Sequence, residues 1–380
     1  MRSKLKKVCI YQRILPHYRV PFFEALYAIL KDQGVNLKVV YGKEQPGTVP
    51  KSVAEVYVWA EYSKNYYFNI LGCEVVFQSP SFNALRKADL VIVEQANRLL
   101  ANYCVFLLKL VTPLKMAFWG HGKNFQAAGK KRFLEWFKKQ YSLKVEHWFS
   151  YTQEGANILM AAGYDTQNIT IVKNSIDTQN LGLAYANITQ SQIKAAQGKH
   201  AITGDNIAIY CGGMYEEKRL SFLLAACVEI KNCVPDYQVI FIGDGPDAYK
   251  VKDMANKYNW IHFIGSMTGL ERVPYFAMSK LFLMPGLVGL AVLDSFALET
   301  PMITVEADYH SPEFAYITNG ENGVVADNSL EAYVGAVVTV LTKDSVRQTL
   351  IDGCRVSKTE FTIENMAKNF ATGIIKALNK

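Results

Sequence analysis

The sequence has no hydrophobic run long enough to cross a bilayer. Its most apolar stretch, Tyr103–Val111, is short and contains Lys109, whereas a spanning helix needs about 20 apolar residues. The N-terminal segment MRSKLKKVCIYQ is basic but lacks the long apolar core and the cleavage site of a signal peptide. We therefore expect a cytoplasmic protein that is soluble or lies peripherally on the inner face of the cell membrane.

Metal-binding and redox motifs are also missing. The sequence has no Asp-x-Asp motif and no His/Cys cluster, so we expect no metal site and no cofactor other than a co-substrate. The basic residues are dispersed and no recognition module is present, which makes nucleic acid the least expected partner. The seven cysteines show no metal or redox spacing, and we expect them to be buried reduced thiols: Cys9, Cys73, Cys104, Cys211, Cys227, Cys233 and Cys354.

The length and the net charge of the chain indicate how many domains it forms and which kind of partner it binds. Its 380 residues, half of them hydrophobic and a fifth charged, suit two domains of about 150–200 residues each. The formal net charge of +7 favours an acidic partner such as a nucleotide or a phospholipid surface.

The segment Leu281–Thr304 predicts a phosphate-binding turn. An apolar strand, Leu281 to Met284, breaks at Pro285-Gly286, and helical spacing follows from Leu290. A strand, a glycine-bearing turn and a helix start place backbone N–H groups at the carboxyl edge of a sheet, where phosphate binds well. Asp294 lies one turn into the helix, where its carboxylate can reach a ribose.

Two upstream segments repeat this pattern. Ile207–Leu220 contains a strand, Gly212-Gly213 and then Lys218, whose ammonium can reach a phosphate. Tyr237–Pro246 is a strand that ends in the tight turn Gly243-Asp244-Gly245-Pro246. Three glycine turns at the ends of strands in one βα series predict a single crevice.

With these motifs in order, the chain resembles the retaining, sugar-nucleotide-dependent glycosyltransferases of family 4 (glycosyl transferases group 1). The matching pieces are GGMYEEKRL, VIFIGDGPD, IHFIGSMTGLERVPYFAMSKLFLMPG, GLAVLDSFALETPMIT and HSPEFAYITNGENGVV. The resemblance implies an α/β protein of the GT-B fold, with two Rossmann-like βαβ domains facing each other across a cleft. We expect an acceptor-binding domain over residues 1–178, an interdomain connection over 179–205, a nucleotide-sugar domain over 206–360, and a helix over 361–380 that returns to the first domain.

The resemblance also implies residue roles. His121, Lys218 and Asp294 would be catalytic, with Lys218 neutralising the departing diphosphate and His121 facing the donor sugar. The other implied donor-binding residues are Gly212, Gly213, Gly243, Gly245, Leu287, Val288, Gly289, Leu290 and Glu313. Two positions depart from the family pattern: Gly213 replaces its usual arginine, and Gly286 replaces the first of its two acidic residues.

The N-terminal half predicts an acceptor site. A strand, Lys7–Tyr11, is followed by the loop QRILPHYR, which offers Arg13, His17, Tyr18 and Arg19 to hydroxyls and phosphates. His17 is either functional or incidental. His121 stands between two glycines at the end of a later strand, where its ring either faces the crevice or closes the turn.

A basic amphipathic segment, Gly129–Val145, has two interpretations. Its aromatic residues share one helical face, and the opposite face carries Lys131, Arg132, Lys138 and Lys139. Such a helix either lies in an anionic lipid interface or packs its aromatics inward.

Together with these patterns, the resemblance implies a metal-independent glycosyltransferase. It would move a hexosyl or N-acetylhexosaminyl group from a nucleotide sugar, a UDP-sugar before a GDP-sugar, to a saccharide acceptor linked to lipid. A nucleotide-sugar epimerase of the same fold would need a pair of acid/base carboxylates, which the sequence does not clearly show. An inactive sugar-nucleotide-binding scaffold is the third alternative, supported by Gly213 and Gly286.

Overall fold

The computed structural model describes residues 5–48, 55–70, 72–122 and 141–380. The chain forms two compact units. Unit 1 contains Met1–Ile176 together with Ile363–Lys380, and unit 2 contains Asp177–Thr362. Each unit is a βαβ structure around its own sheet, which confirms the α/β prediction.

Unit 1 is built on a seven-stranded parallel sheet and carries a separate antiparallel hairpin. The strands in chain order are β1 (Lys6–Ile14), β2 (Val35–Gly42), β3 (Ala60–Tyr62), β4 (Asn65–Ile70), β5 (Cys73–Gln78), β6 (Leu90–Glu94), β7 (Lys115–Gly120), β8 (His147–Ser150) and β9 (Ile169–Ile171). The sheet order is β3-β2-β1-β6-β7-β8-β9, and β4 pairs only with β5. The described helices are α1 (Val20–Asp32), α2 (Phe82–Leu85), α3 (Leu100–Val111) and α4 (Gln153–Ala161).

Unit 2 is built on a six-stranded parallel sheet. Its strands are β10 (Ile207–Cys211), β11 (Gln238–Ile242), β12 (Ile261–Gly265), β13 (Leu281–Leu283), β14 (Met302–Val305) and β15 (Gly323–Ala326), in the order β12-β11-β10-β13-β14-β15. Every residue of β10 and β11 is buried, because helices cover both faces of such a sheet. The helices are α5 (Gln179–Ala186), α6 (Gln190–Lys199), α7 (Leu220–Cys233), α8 (Ala248–Lys257), α9 (Val273–Ala277), α10 (Ala291–Ala297), α11 (Leu330–Thr342) and α12 (Asp344–Glu360).

The last helix, α13 (Ile363–Leu378), belongs to the core of unit 1. Its Phe370 ring stacks on Phe149 with centroids 4.2 Å apart and meets Trp119 edge-on at 5.0 Å and Phe22 at 5.4 Å. Lys115 donates hydrogen bonds to the carbonyls of Ala377 and Leu378, which satisfies the carboxyl end of the helix.

The interdomain connection expected at 179–205 is wrong. This stretch forms α5 and α6, which belong to unit 2. Thr189 and Gln192 form a reciprocal cap at the start of α6, while Leu181 and Ala196 are buried. The polar composition therefore reflects helices with one exposed face and not a linker.

Two smaller expectations also need correction. Cys73, Cys104 and Cys233 are exposed, although all seven cysteines are free thiols. Strand β1 continues through Arg13 to Ile14, so the predicted loop begins later than expected. In the described part of the chain, no helix has the length and apolar character needed to cross a membrane, and no three His, Cys, Asp or Glu side chains are grouped as metal ligands.

Candidate nucleotide-sugar site and acceptor edge

Two glycine loops of unit 2 touch backbone to backbone at the carboxyl ends of β10 and β11. Gly212 and Gly243 have φ values of 155° and 143°, which favour glycine. A Cβ atom on Gly243 would stand 1.9 Å from the Gly212 carbonyl oxygen, and one on Gly245 would stand 2.3 Å from the Met214 carbonyl oxygen. The two loops therefore interlock without side chains, which leaves their outer edge open to a ligand.

Gly213 is fixed by two tyrosines. The hydroxyl of buried Tyr210 donates to the Gly213 carbonyl at 2.7 Å, and a Cβ on Gly213 would lie 2.8 Å from the Tyr215 ring. The Tyr215 ring thus occupies the space that a side chain at position 213 would enter, so the arginine that the resemblance leads us to expect there would meet this ring.

Lys218 is buried, with 6% of its surface exposed. Its ammonium donates to the Leu287 carbonyl and lies 3.8 Å from the Met284 sulfur. Burial lowers the pKa of Lys218 to about 8, while nearby Glu217 acts in the opposite direction. An ammonium keeps further donors when one is used, so Lys218 joins two loops and can still meet a phosphate.

The loop between β13 and α10 is held from several sides. The Glu217 carbonyl accepts from Leu287 N–H at 2.8 Å. His310 Nδ1 accepts from Val288 N–H at 3.1 Å, so the ring donates from Nε2 to the Val305 carbonyl at 2.7 Å. Sequence reasoning missed His310, because a lone histidine among loop residues gives no signal of a backbone contact 22 residues away.

Gly286 stands where the resemblance leads us to expect the first of two acidic residues. A Cβ on Gly286 would meet the Lys218 carbonyl carbon at 2.3 Å and the Glu217 carbonyl oxygen at 2.4 Å. No side chain fits there unless one of the two loops moves. The departure at Gly286 therefore belongs to the same packing that buries Lys218.

The remaining residues of this loop are placed differently from one another. Val288 is fully buried, whereas Leu287, Gly289 and Leu290 are partly exposed. The Val288 side chain is therefore part of the core, and its expected contact with the donor stays a prediction. Helix α10 starts after Leu290 without a side-chain cap, which places the positive end of a short helix dipole at this loop, although the Val292 and Leu293 N–H groups donate to the Gly289 and Leu290 carbonyls. Glu313 is buried in a short 3₁₀ helix.

Asp294 is paired in a way that the sequence did not reveal. Arg272 donates NH1 to Asp294 Oδ2 at 2.6 Å and NH2 to Oδ1 at 2.9 Å, and its Nε donates to the Gly269 carbonyl. Burial raises the pKa of the Asp294 carboxyl, and the Arg272 charge opposes that rise. Both carboxylate oxygens already accept a hydrogen bond before any ribose arrives.

Arg219 supports the loop between β13 and α10 from its outer side. Its αL backbone, with φ 54°, turns the guanidinium toward Asn328 Oδ1 at 2.7 Å and the Tyr309 hydroxyl at 3.0 Å. Tyr309 in turn donates to the Pro285 carbonyl at 3.2 Å. The two neighbouring basic residues therefore act differently. Lys218 points inward, whereas Arg219 holds the loop between β13 and α10 in place.

In unit 1, His121 follows β7 at the carboxyl edge of the sheet. Its half-buried ring lies 6.4 Å from the Tyr151 ring in an edge-on contact. The next residue, Gly122, has φ 74° and donates its N–H to Gln95 Oε1 at 2.8 Å. The predicted position of His121 at a strand end is confirmed, while its role stays a prediction.

The four residues predicted to bind the acceptor lie in different environments in the structure. His17 and Tyr18 are exposed, and Arg13 forms an ion pair with Glu74 at 3.3 Å. Arg19 is instead buried, with its guanidinium over the Trp119 ring at 5.2 Å and near the Met366 sulfur. Arg19 therefore packs α13 against α1, which weakens its assignment to an acceptor.

Sequence reasoning missed Glu94, which ends β6 and accepts a hydrogen bond from the Arg13 N–H. Burial raises the pKa of its carboxyl, while the backbone N–H and the charge of Arg13 oppose that rise. Four residues of the basic amphipathic segment, Lys131, Arg132, Lys138 and Lys139, lie outside the described residues.

Comparison with known proteins now identifies the architecture. Residues 205–343 match the family model Glycosyl transferases group 1. A glycosyltransferase from Rickettsia africae superimposes with a TM-score of 0.67 at 14% identity, over 100% of both chains. Anabaena HepE, solved with UDP and glucose, gives a TM-score of 0.65 at 12% identity, over 98% of this chain and 100% of its own.

The chain has the GT-B fold.

One curated relative extends this GT-B comparison in sequence. The alpha-monoglucosyldiacylglycerol synthase of Acholeplasma laidlawii is 26% identical over 219 residues, which cover 56% of this chain and 53% of the relative. The aligned region thus spans about half the length of that relative. The matched family segment contains the glycine loops, Lys218 and Asp294.

Proposed function

We propose that the protein is a retaining family-4 glycosyltransferase that takes a hexosyl or N-acetylhexosaminyl group from a nucleotide sugar. The observation that carries the proposal is the cluster in unit 2, where interlocked glycine loops, buried Lys218 and the uncapped start of α10 share one sheet edge. A UDP-sugar is the preferred donor, which HepE's complex with UDP and glucose supports.

In the proposed reaction the bond between the sugar and the diphosphate breaks, and the sugar carbon bonds to an acceptor hydroxyl. The acceptor proton leaves with the departing nucleoside diphosphate. Lys218 and the N–H groups at the start of α10 stabilise the charge that develops on that diphosphate. No metal ion is required, because these positive groups supply the neutralisation. Asp294 orients the ribose together with Arg272, and His121 contacts the sugar.

The acceptor is a saccharide or a glycolipid at the cytoplasmic face of the membrane, in the synthesis of cell-surface glycans. The relative that is named for making monoglucosyldiacylglycerol supports a lipid-linked acceptor. Exposed His17 and Tyr18 and ion-paired Arg13 are the side chains proposed to meet it.

The decisive test incubates the protein with UDP-, GDP- and ADP-sugars, with and without glucosyl-diacylglycerol, and measures nucleotide release, while diacylglycerol, which carries no sugar, tests whether the acceptor must be a glycolipid. We expect release that depends on both a UDP-sugar and a lipid acceptor, with the anomeric configuration retained in the product. An epimerase would convert the sugar without an acceptor. A scaffold would bind UDP, measured by calorimetry, and release nothing from any donor.

A further inference from the structure

The hairpin of β4 and β5 carries an apolar outer face. Alternate residues of an antiparallel ribbon share a face. Tyr66, Phe68 and Ile70 on β4 lie directly opposite Phe77, Val75 and Cys73 on β5. None of these six side chains is charged, so one whole face of the ribbon is nonpolar apart from a tyrosine hydroxyl and a thiol.

The β4 side of this apolar face points to solvent, as does Cys73, whereas Val75 and Phe77 on β5 are half-buried. Tyr66, Phe68 and Ile70 are 42%, 48% and 53% exposed. The opposite face packs on unit 1, where Val76 is buried and Gln78 donates its side-chain amide to the Gln12 carbonyl at 3.1 Å. A contiguous exposed apolar face of this kind marks an interaction site on a soluble protein.

The charges around the hairpin select the partner. The Lys64 ammonium lies 5.0 Å from the centre of the Tyr66 ring, and the Lys43 ammonium lies 5.6 Å from that of exposed Tyr62. Both lysines are exposed. The acid of the hairpin, Glu74, is neutralised by Arg13. Two exposed lysines and two tyrosines therefore lie at the base of a nonpolar ribbon, an arrangement that complements a phosphate layer above acyl chains.

The dimensions agree with shallow insertion. Four residues of β-strand separate Tyr66 from Ile70, a rise of about 14 Å. Interfacial segments bury their apolar face about 5–10 Å into the boundary between headgroups and acyl chains. With Phe68 and Ile70 at that depth, Lys64 stays at the level of the phosphates.

The hairpin is also hydrogen-bonded to the acceptor edge, by which we mean the carboxyl end of β1 with Arg13 and the following residues His17 and Tyr18. The Asn65 side-chain amide donates to the Arg13 carbonyl at 2.7 Å, close to the carboxyl end of β1. We propose that the outer face of this hairpin docks unit 1 on an anionic bilayer and brings the acceptor edge to the lipid headgroups. This inference deepens the proposed function and rests on it for the acceptor.

Vesicle flotation tests the docking directly. The full chain should bind phosphatidylglycerol vesicles at low salt, and the double variant Phe68→Ser/Ile70→Ser should bind on the order of tenfold more weakly. Lys43→Gln and Lys64→Gln should each weaken binding about fivefold and reduce its salt dependence. Val356→Ser is the matched control, because Val356 is a 67% exposed apolar residue of unit 2, and it should bind like the parent.

Three results would overturn the proposal. One is that the parent protein does not bind anionic vesicles at low salt. Another is unchanged binding in the hairpin variant with a loss in Leu107→Ser/Leu110→Ser, which alters exposed leucines on α3. The third is a dimer, seen by light scattering, that Phe68→Ser/Ile70→Ser dissociates, since the face would then be covered by a second copy.

A second readout separates this inference from the proposed function. The hairpin variant should release nucleotide normally with a detergent-dispersed acceptor and slowly with the same acceptor in vesicles. If the proposed function fails, no acceptor supports nucleotide release, yet the parent still floats with vesicles. If only the docking fails, release occurs equally in detergent and vesicles for parent and variant.

Discussion

At the scale of single residues, Lys218 is charged inside a largely buried environment. Replacing it with Met should weaken donor binding by about 1.5–3 kcal/mol, the value of a hydrogen bond to a charged group. Because the pKa of Lys218 is lowered to about 8, the unliganded protein loses this positive charge as pH rises through that value. The donor KM should therefore rise above about pH 8.

The pH profile provides the control for this prediction. In Lys218→Met the rise of donor KM near pH 8 should disappear, since no ammonium remains to titrate there. A parent whose donor KM is level from pH 7 to 9.5, or a variant that keeps the parent's profile, would assign the phosphate contact to another group.

Asp294 should contribute to stability as well as to donor binding. Asp294→Asn leaves the largely buried Arg272 without a counter-charge, which should lower the free energy of unfolding by about 3 kcal/mol. Asp344→Asn is the control, because the Asp344 side chain is 84% exposed in its pair with Arg347 and should lose under about 1 kcal/mol. Urea unfolding measures both. Equal stability of the Asp294 variant and the parent would show that the pair is energetically neutral.

His121 should affect turnover and leave nucleotide affinity unchanged. If the ring contacts the sugar near the reacting carbon, His121→Ala should lower kcat about a hundredfold, as the loss of one transition-state hydrogen-bond donor does. The dissociation constant for UDP, measured by calorimetry, should match the parent. A folded variant with normal kcat would make His121 a residue of the turn after β7.

At the scale of elements, the loop after β13 depends on the absence of a side chain at Gly286. Gly286→Ala forces a methyl group against the backbone at Lys218, and overpacking of this kind costs about 1–3 kcal/mol. Donor affinity should fall about tenfold or more as the loop shifts. Gly335→Ala in α11, where a Cβ meets nothing within 4 Å, should bind donor like the parent.

The elements also show what the sequence could predict. The βα turns at Gly212, Gly243 and Gly286 were predicted correctly, because a short apolar strand followed by glycine is a local signal. The Arg272–Asp294 pair was not predicted, since it joins segments 22 residues apart through tertiary packing. Alternation in β4 indicates a strand with one apolar face, and the usual inference places that face inward. The structure places it outward, which no local pattern can reveal.

At the scale of the whole molecule, unit 1 depends on a helix that follows unit 2 in the chain. Phe370→Ala on α13 removes a ring that contacts Phe149, Trp119 and Phe22, and such a truncation costs about 3–5 kcal/mol. Hydrogen exchange should accelerate in β7 and β8 and stay unchanged in β10 and β11, because those strands belong to the other unit. Val356→Ala, on the exposed side of α12, should change neither. Uniform acceleration in both units would mean that they unfold together.

The expected domain bounds followed the resemblance, and the polar stretch 179–205 was interpreted as the connection between the domains, whereas it belongs to unit 2. Residues 179–205 are polar because α5 and α6 each keep a face in water, and Leu181 and Ala196 are the side chains of these two helices that are fully buried. A stretch with so few apolar residues fits a surface helix and a linker equally well, so its composition cannot decide between them. The prediction that the last helix returns to the first domain depended on the resemblance, because the sequence of an amphipathic helix does not show which surface its apolar face packs against.

The late position of α13 has a consequence for synthesis on the ribosome. Domains generally fold as units while the chain emerges. All of unit 2 emerges before Phe370, so unit 2 can close its core while the aromatic cluster of unit 1 still lacks one ring. During that interval Phe22, Trp119 and Phe149 have no α13 to cover them. Nascent unit 1 is thus the part of the protein that we expect chaperones to hold.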